Sequence, residues 1–233
     1  KTLKKIPDSF VDCVITSPPY NMNLRINKGK YISRQIVKEF STRYDNFSDN
    51  LPIEEYYKFH KKVISELLRT SKIIFYNIQI VTGSKRAFFK IIGEYHKFLK
   101  DVIVWDKGHA QPAMKEQVLN KQTELILVFE SDYPISRQFK NATFKRGTLS
   151  DIWHISREKK NISGHSAVFP EELVATILQN FTKKDDLIYD PFMGTGTTAV
   201  VAKQLKRKFI GSEISQKYID IAKKRLKHSN QLF

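Results

Sequence analysis

The sequence predicts an α/β domain with a mostly parallel sheet and helices on both faces. Short apolar runs alternate with helical stretches along most of its 233 residues. Two of those runs end in loop motifs, one rich in proline and one in glycine. No apolar stretch reaches the roughly 18 residues of a membrane span, and no segment reads as a linker or low-complexity tract. With 16 Phe and 10 Tyr there is material for a sizeable core, so one compact domain over residues 1–233 is expected.

Val11 to Thr16 is an apolar run halted by Pro18-Pro19, which suits a buried strand whose ladder donors end at proline. Residues 20 to about 50 are polar and basic, and read as a long loop. From Ile53 to Leu68, apolar residues at 56, 59, 63, 64, 67 and 68 trace one helical face behind Pro52. Ile73 to Ile78 reads as a strand, 84–99 as a helix, and Val102 to Trp105 and Leu125 to Phe129 as strands. The polar stretches 106–123 and 131–164 break the alternation and read as excursions from the sheet. It resumes with a helix at Pro170 to Phe181, a strand at Leu187 to Tyr189, a helix at Thr197 to Leu205, a strand at Phe209 to Gly211 and a helix at Tyr218 to Leu226.

Forty Lys and Arg against 24 Asp and Glu give a net charge of +16, an excess that attracts polyanions. A lone cysteine, Cys13, excludes an intramolecular disulfide and reads as a small buried residue. The N-terminus lacks a signal-peptide pattern, so a cytoplasmic protein without membrane contact is expected. The six histidines form no zinc-binding pattern, and no metal site is expected. "GHSAV" (164–168) follows a charged segment instead of a strand, which argues against a hydrolase nucleophile elbow.

In "LIYDPFMGTGTTAVVAKQL", Gly194, Gly196 and Ala199 fit a relaxed G-x-G-x-x-[G/A] fingerprint between strand and helix. A second strand, "KFIGSE", ends in Glu213, 19 residues beyond Gly194, the spacing of an acid that binds ribose hydroxyls. No Lys-Ser or Lys-Thr follows the second glycine, so this is not a P-loop. These features point to a nucleoside-containing cofactor and leave its identity open.

"VITSPPYN" (14–21) raises a different chemistry. Two prolines stiffen the chain, so the Ser17 hydroxyl and the Pro18 carbonyl are held with little entropy left to lose. Two acceptors beside an exposed Tyr20 ring suit a planar amino group on a flat heterocycle. Accepting its N–H bonds favours a pyramidal nitrogen whose lone pair can attack a methyl group, an electrostatic contribution of the preorganised kind.

Together, "TSPPYN" and "DPFMGTGTT" resemble the two signature motifs of the amino-group DNA methyltransferases, which methylate cytosine at N4 or adenine at N6. "DVIVWDKG", "HSAVFPEELVATILQNF" and "KFIGSEISQKYIDIAKKRL" are similar to further stretches of that family. The corner precedes the glycine loop, as in the family's circularly permuted beta group. The resemblance implies a Rossmann-like class I methyltransferase fold and S-adenosyl-L-methionine as cofactor. It implies that Asp190, Phe192, Gly194, Gly196, Thr197 and Glu213 contact the cofactor, with Phe169 and His165 near its methionine part. Ser17, Pro18, Pro19 and Tyr20 would carry the base chemistry, with Asn21 supporting the corner. The chain has His165-Ser166 where relatives often have His-Pro, and opens at Lys1, too late to show the family's upstream Gly-Asp pair.

The resemblance further implies target-recognition insertions within 106–164, double-stranded DNA as substrate, a homodimer and a cognate restriction endonuclease. Within this family a Ser-Pro-Pro-Tyr corner goes mostly with cytosine N4; adenine N6 is the alternative, followed by an RNA methyltransferase or a non-catalytic nucleic-acid-binding protein. A neutral serine stabilises positive charge less than a carboxylate does, so either cytosine needs less help or another acid contributes. Basic residues mixed with aromatics, in 20–48 and around Phe139 and Phe144 with Arg137, Lys140, Lys145 and Arg146, are expected to meet DNA. The target base must be flipped out, and the 20–50 loop is expected to be mobile without DNA and ordered with it.

Overall fold

The computed structural model describes residues 2–21, 25–27, 30–32, 51–111, 116–132, 136–157 and 169–229. A 3-10 turn at Leu3–Lys5 leads into β1 (Val11–Thr16). There follow β2 (Arg25–Asn27), β3 (Lys30–Ile32), α1 (Ile53–Thr70), β4 (Ser71–Ile78), α2 (Lys85–Glu94), β5 (Leu99–Gln111) and β6 (Lys121–Glu130). The remainder is β7 (Ile152–His154), α3 (Glu171–Phe181), β8 (Leu187–Asp190), α4 (Thr197–Gln204), β9 (Lys208–Gly211) and α5 (Gln216–His228).

Seven strands form one sheet in the order β7-β5-β6-β4-β1-β8-β9. β1 pairs in parallel with β4 and β8, as does β8 with β9 and β5 with β7. Only β6 runs against its neighbours β4 and β5, because it returns from β5 as a hairpin. The period of two along the strands divides the core. Val14, Ile74, Tyr76, Ile78 and Leu127 meet Tyr56, Ile64 and Leu67 of α1 and Phe88 of α2. On the other face Cys13, Ile15, Ile73, Phe75 and Val128 meet Leu173 and Ile177 of α3 and Val201 of α4. The α/β sandwich is therefore as the alternation predicts, and Cys13 is a fully buried core residue whose thiol pKa burial raises.

The structure corrects three boundaries. The second helix stops at Glu94, where the Tyr95 N–H closes on the Ile91 carbonyl, and the chain turns so that Leu99 pairs with Phe129. The supposed excursion 106–123 is largely strand: β5 continues to Gln111 and β6 begins at Lys121. Apart from the buried Lys107, this part of the hairpin is polar and largely solvated, so it shows no apolar pattern, yet Asp106 pairs with Thr123 and accepts from the Gln122 amide at 2.7 Å. The 131–164 excursion likewise contributes β7 to the sheet edge. Within the long 20–50 loop, β2 and β3 form an antiparallel pair; the mobility expected of the rest falls outside the described residues.

Phe139 and Phe144 do not present faces to a base. Their ring centroids lie 5.1 and 5.4 Å from that of Phe181, so they extend the core. Lys140 pairs with Asp132, and the two lie near Lys72 at the beginning of β4, at the end of the strands opposite the Ser17 corner.

His60 sits inside the α1 face of the core. Its ring centroid is 4.3 Å from Tyr56 and 5.0 Å from Phe88, and Nδ1 lies 2.5 Å from the Tyr76 hydroxyl. Burial lowers its pKa from 6.5 to about 3. The unfolded chain therefore binds a proton that the folded chain refuses between those values, and His60 favours folding less as pH falls from about 6.5 towards 3. In urea titrations, the stability of the wild type relative to a His60→Gln variant should rise with pH across that window. A pH-independent difference would contradict the neutral buried imidazole.

Candidate active site

Loops leave the C-terminal ends of the adjacent parallel strands β1 and β8 in opposite directions. The chain after β1 reaches α1 on one face of the sheet, and the chain after β8 reaches α4 on the other. Open α/β sheets offer a ligand crevice at such a switch point. The proline corner and the glycine loop are the two loops that flank it.

Asp190 joins them. Its carboxylate, 5% exposed, accepts from Thr16 Oγ1 at 2.8 Å, Thr198 Oγ1 at 2.8 Å and the Phe192 N–H at 3.0 Å. Burial raises its pKa to about 6, and these hydrogen bonds oppose the rise. Asp190 thus fastens the residue before Ser17 to α4.

The corner is held from below. Pro18, Pro19 and Tyr20 are buried and Ser17 is half-buried. Tyr56 of α1 donates to the Pro19 carbonyl at 2.5 Å; no hydrogen bond to the Pro18 carbonyl is found among the described residues. Asn21, with φ +53°, donates to the Leu51 and Gly83 carbonyls at 2.9 and 3.0 Å and accepts the Leu51 N–H at 2.7 Å. That clamp is the supporting role expected of Asn21, in a left-handed conformation that asparagine tolerates.

The exposed Tyr20 ring expected from sequence is not found: Tyr20 is 9% exposed. Its hydroxyl turns inward to a polar cluster that sequence reasoning missed. Ser17 Oγ lies 2.6 Å from Tyr20 Oη, and Tyr20 donates to Glu124 Oε2 at 2.9 Å. Asn77 Nδ2 donates to the same Glu124 oxygen at 2.7 Å and to Tyr20 Oη at 2.5 Å. Glu124 Oε1 faces Lys107 Nζ at 3.1 Å and Arg157 at 3.4 Å. Burial lowers the pKa of Lys107, while Glu124 works against that shift. The visible signals were a single lysine and a single glutamate flanking the apolar parts of "DVIVWDKG" and "TELILVF"; strand pairing, Trp105 against Glu124, brings them together.

In the glycine loop the two glycines have different surroundings. Gly196, at φ +84°, would place a Cβ 2.7 Å from the Ala222 Cβ, so its bareness lets α4 pack on α5. Gly194, at φ +53°, meets nothing nearer than the Phe192 carbonyl oxygen at 4.0 Å and leaves backbone open to a ligand. Glu213 accepts from Gly194 N at 2.8 Å through Oε2, and from Ile214 and Ser215 N at 2.8 and 2.9 Å through Oε1. A carboxylate has about four lone-pair positions, so Oε2 keeps one for a hydroxyl donor. Thr197 is buried and accepts from Arg225 at 3.0 Å. Phe192 packs towards Phe59 and Phe169 towards Trp105, at ring distances of 5.9 and 6.3 Å. His165 lies outside the described residues.

A switch-point crevice flanked by the proline corner and an open glycine, with an acid just past the next strand, defines a Rossmann-like α/β fold of the class I methyltransferase type. The chain belongs to the DNA methylase family of N6 and N4 amino-methyltransferases, whose pattern matches residues 11–224. It is 30% identical over 253 residues to the type II methyltransferase M.BglII of Bacillus subtilis, covering 94% of this chain and 64% of that protein. It is 33% identical over 242 residues to the type II methyltransferase M2.LlaDCHI of Lactococcus lactis subsp. cremoris, covering 97% and 86%. The solved structure of the PvuII DNA methyltransferase (cytosine-N4-specific) superposes with a TM-score of 0.70 at 19% identity, over 96% of this chain and 82% of that one. No helix among the described residues is long and apolar enough to cross a membrane.

Two substitutions test this geometry. Thr16→Val removes a hydrogen bond to the Asp190 carboxylate and should cost about 1.5–3 kcal/mol in urea unfolding at pH 8; an unchanged midpoint would contradict the Asp190 tie. Gly196→Ala forces a side chain into both a left-handed position and Ala222, so its unfolding cost should exceed that of Gly194→Ala, which meets open space. Equal costs would count against the different roles given to the two glycines.

Proposed function

We propose that the chain is a single catalytic domain that transfers a methyl group from S-adenosyl-L-methionine to N4 of cytosine in double-stranded DNA after base flipping. The observation that carries the reading is the Asp190 tie, which sets the Ser17 corner and the open Gly194 loop on adjoining strand ends. The residues fit the cofactor: bared backbone at Gly194, a carboxylate at Glu213 for ribose hydroxyls, and Phe192 and Phe169 as half-buried apolar surface. Asp190, Gly196 and Thr197 serve that site by shaping the loop. When bound, the cofactor supplies an electrophilic methyl group.

The corner then acts on the base. Ser17 Oγ and the Pro18 carbonyl accept the two amino N–H bonds, which localises the nitrogen lone pair and stabilises positive charge as it develops. Pro19 and Asn21 fix where these acceptors sit. Tyr20 supports Ser17 from within the fold, and a stacking role for its ring requires movement from the buried position. The Ser-Pro-Pro-Tyr corner supports cytosine through its resemblance to that part of the family, and the nearby Glu124 supplies the acid that a serine corner lacks.

DNA recognition falls within 106–164. The far end of the β5–β6 hairpin lies beyond the same end of the strands as Ser17, and Val118 and Leu119 there are 56% and 82% exposed. A homodimer and a cognate restriction endonuclease complete this reading, and the charge of +16 supports the DNA partner.

Incubation with labelled S-adenosyl-L-methionine and unmethylated duplex DNA, followed by nucleoside analysis, should yield N4-methylcytosine. N6-methyladenine alone would move the target to adenine, and label absent from DNA would overturn the reading. Ser17→Ala should slow transfer about 10²-fold with cofactor affinity retained; an unchanged rate would remove the corner from the chemistry.

A further inference from the structure

The corner contains a directional question: a serine hydroxyl can donate or accept, and only acceptance favours attack by an amino nitrogen. Ser17 Oγ touches Tyr20 Oη at 2.6 Å, so whichever group donates decides what Ser17 offers to the substrate. Two partners on Tyr20 settle that. Glu124 Oε2, 2.9 Å away, belongs to a carboxylate in a salt bridge with Lys107 and has only lone pairs to offer. Asn77 Nδ2, 2.5 Å from the same phenol oxygen, 2.7 Å from Glu124 Oε2 and 3.5 Å from Ser17 Oγ, is an amide nitrogen and can only donate. The Tyr20 proton must therefore point to Glu124, and the phenol oxygen receives from Asn77 and from Ser17.

We propose that Glu124 is a positioning residue that, through Tyr20, commits the Ser17 hydroxyl to donate inward and present its lone pairs to the substrate amino group. The chain Ser17 O–H to Tyr20 O–H to carboxylate polarises each oxygen in turn, so the outer one accepts more strongly. The charge that the proline corner lacks is thus delivered from β6, two hydrogen bonds away. Lys107 and Arg157 hold the other carboxylate oxygen, and Oε2 also accepts from Asn77. This inference rests on the proposed methyl transfer and names how its acceptor is set.

Glu124→Gln tests the direction with nearly unchanged shape. An amide nitrogen facing Tyr20 would let the phenol donate to Ser17 instead, turning the Ser17 proton towards the substrate. Under saturating cofactor and unmethylated duplex DNA, kcat should fall about 10²-fold, while KM for DNA and the dissociation constant of S-adenosylhomocysteine change little; the melting temperature falls, because a buried ion pair loses one charge. Glu124→Asp, which can still only accept, should recover part of the loss. Because the Gln variant leaves Lys107 buried without its partner charge, Tyr20→Phe supplies a second route that keeps the ion pair. It should also lower kcat, and adding Glu124→Gln to Tyr20→Phe should lower it no further, since the link is already cut. A kcat within threefold of wild type for Glu124→Gln, or losses that multiply in the double variant, would overturn the proposal in an active enzyme. A wild type that methylates no DNA would instead overturn the functional reading, and the inference with it.

Discussion

The buried carboxylate of Asp190 is the constraint around which the rest of the molecule is arranged. It lies at the end of β8, beside the end of β1, and takes hydroxyl protons from Thr16 and Thr198 and an amide proton from Phe192. Those contacts fix three things together: where the proline corner starts, where α4 starts and how the glycine loop leaves the sheet. Burial raises the Asp190 pKa to about 6. A raised carboxyl pKa means the folded state favours the proton, so this group's contribution to stability is lost as pH rises from 3.8 through about 6. His60 contributes with the opposite sign over an overlapping range. The functional end of the sheet therefore carries an electrostatic cost at neutral pH that the apolar core must offset.

That core can do so because the helices divide cleanly between the faces. α1 and α2 cover one side and α3 and α4 the other, and the change of side happens between β1 and β8. The crevice is a consequence of this topology before it is a consequence of any catalytic residue. Arg225 then closes the back of the glycine loop, donating to the Thr195 carbonyl at 2.9 Å and to Thr197 at 3.0 Å while pairing with Glu171 of α3.

What could be read from sequence was what is local along the chain. Ser17-Pro18-Pro19-Tyr20, Gly194 and Gly196 are motifs of a few consecutive residues, and Glu213, just past β9, has a fixed spacing from the glycines. The strands buried on both faces were legible as apolar runs for the same reason. Glu124, Lys107 and Asn77 were not legible, because they meet only through pairing of β4, β5 and β6, and each alone looks like an ordinary polar residue. The burial of Tyr20 depends on those partners and was missed with them. Phe139 and Phe144 were misread because aromatic residues among lysines have the same composition whether they serve nucleic acid or, as here, pack on Phe181. The polar ends of β5 and β6 were misread because a solvated hairpin keeps its ladder without an apolar face.

The chain belongs to a family of amino-methyltransferases, and its geometry shows how the parts meet: one crevice, with the glycine loop on one side and the Ser17 corner on the other. A crystal structure with bound S-adenosylhomocysteine tests that arrangement most directly. The ribose should lie on Glu213 beside Gly194, with the sulfur end on the side of Ser17. Ligand density away from the β1–β8 crevice, or a ribose with no contact to Glu213, would contradict it.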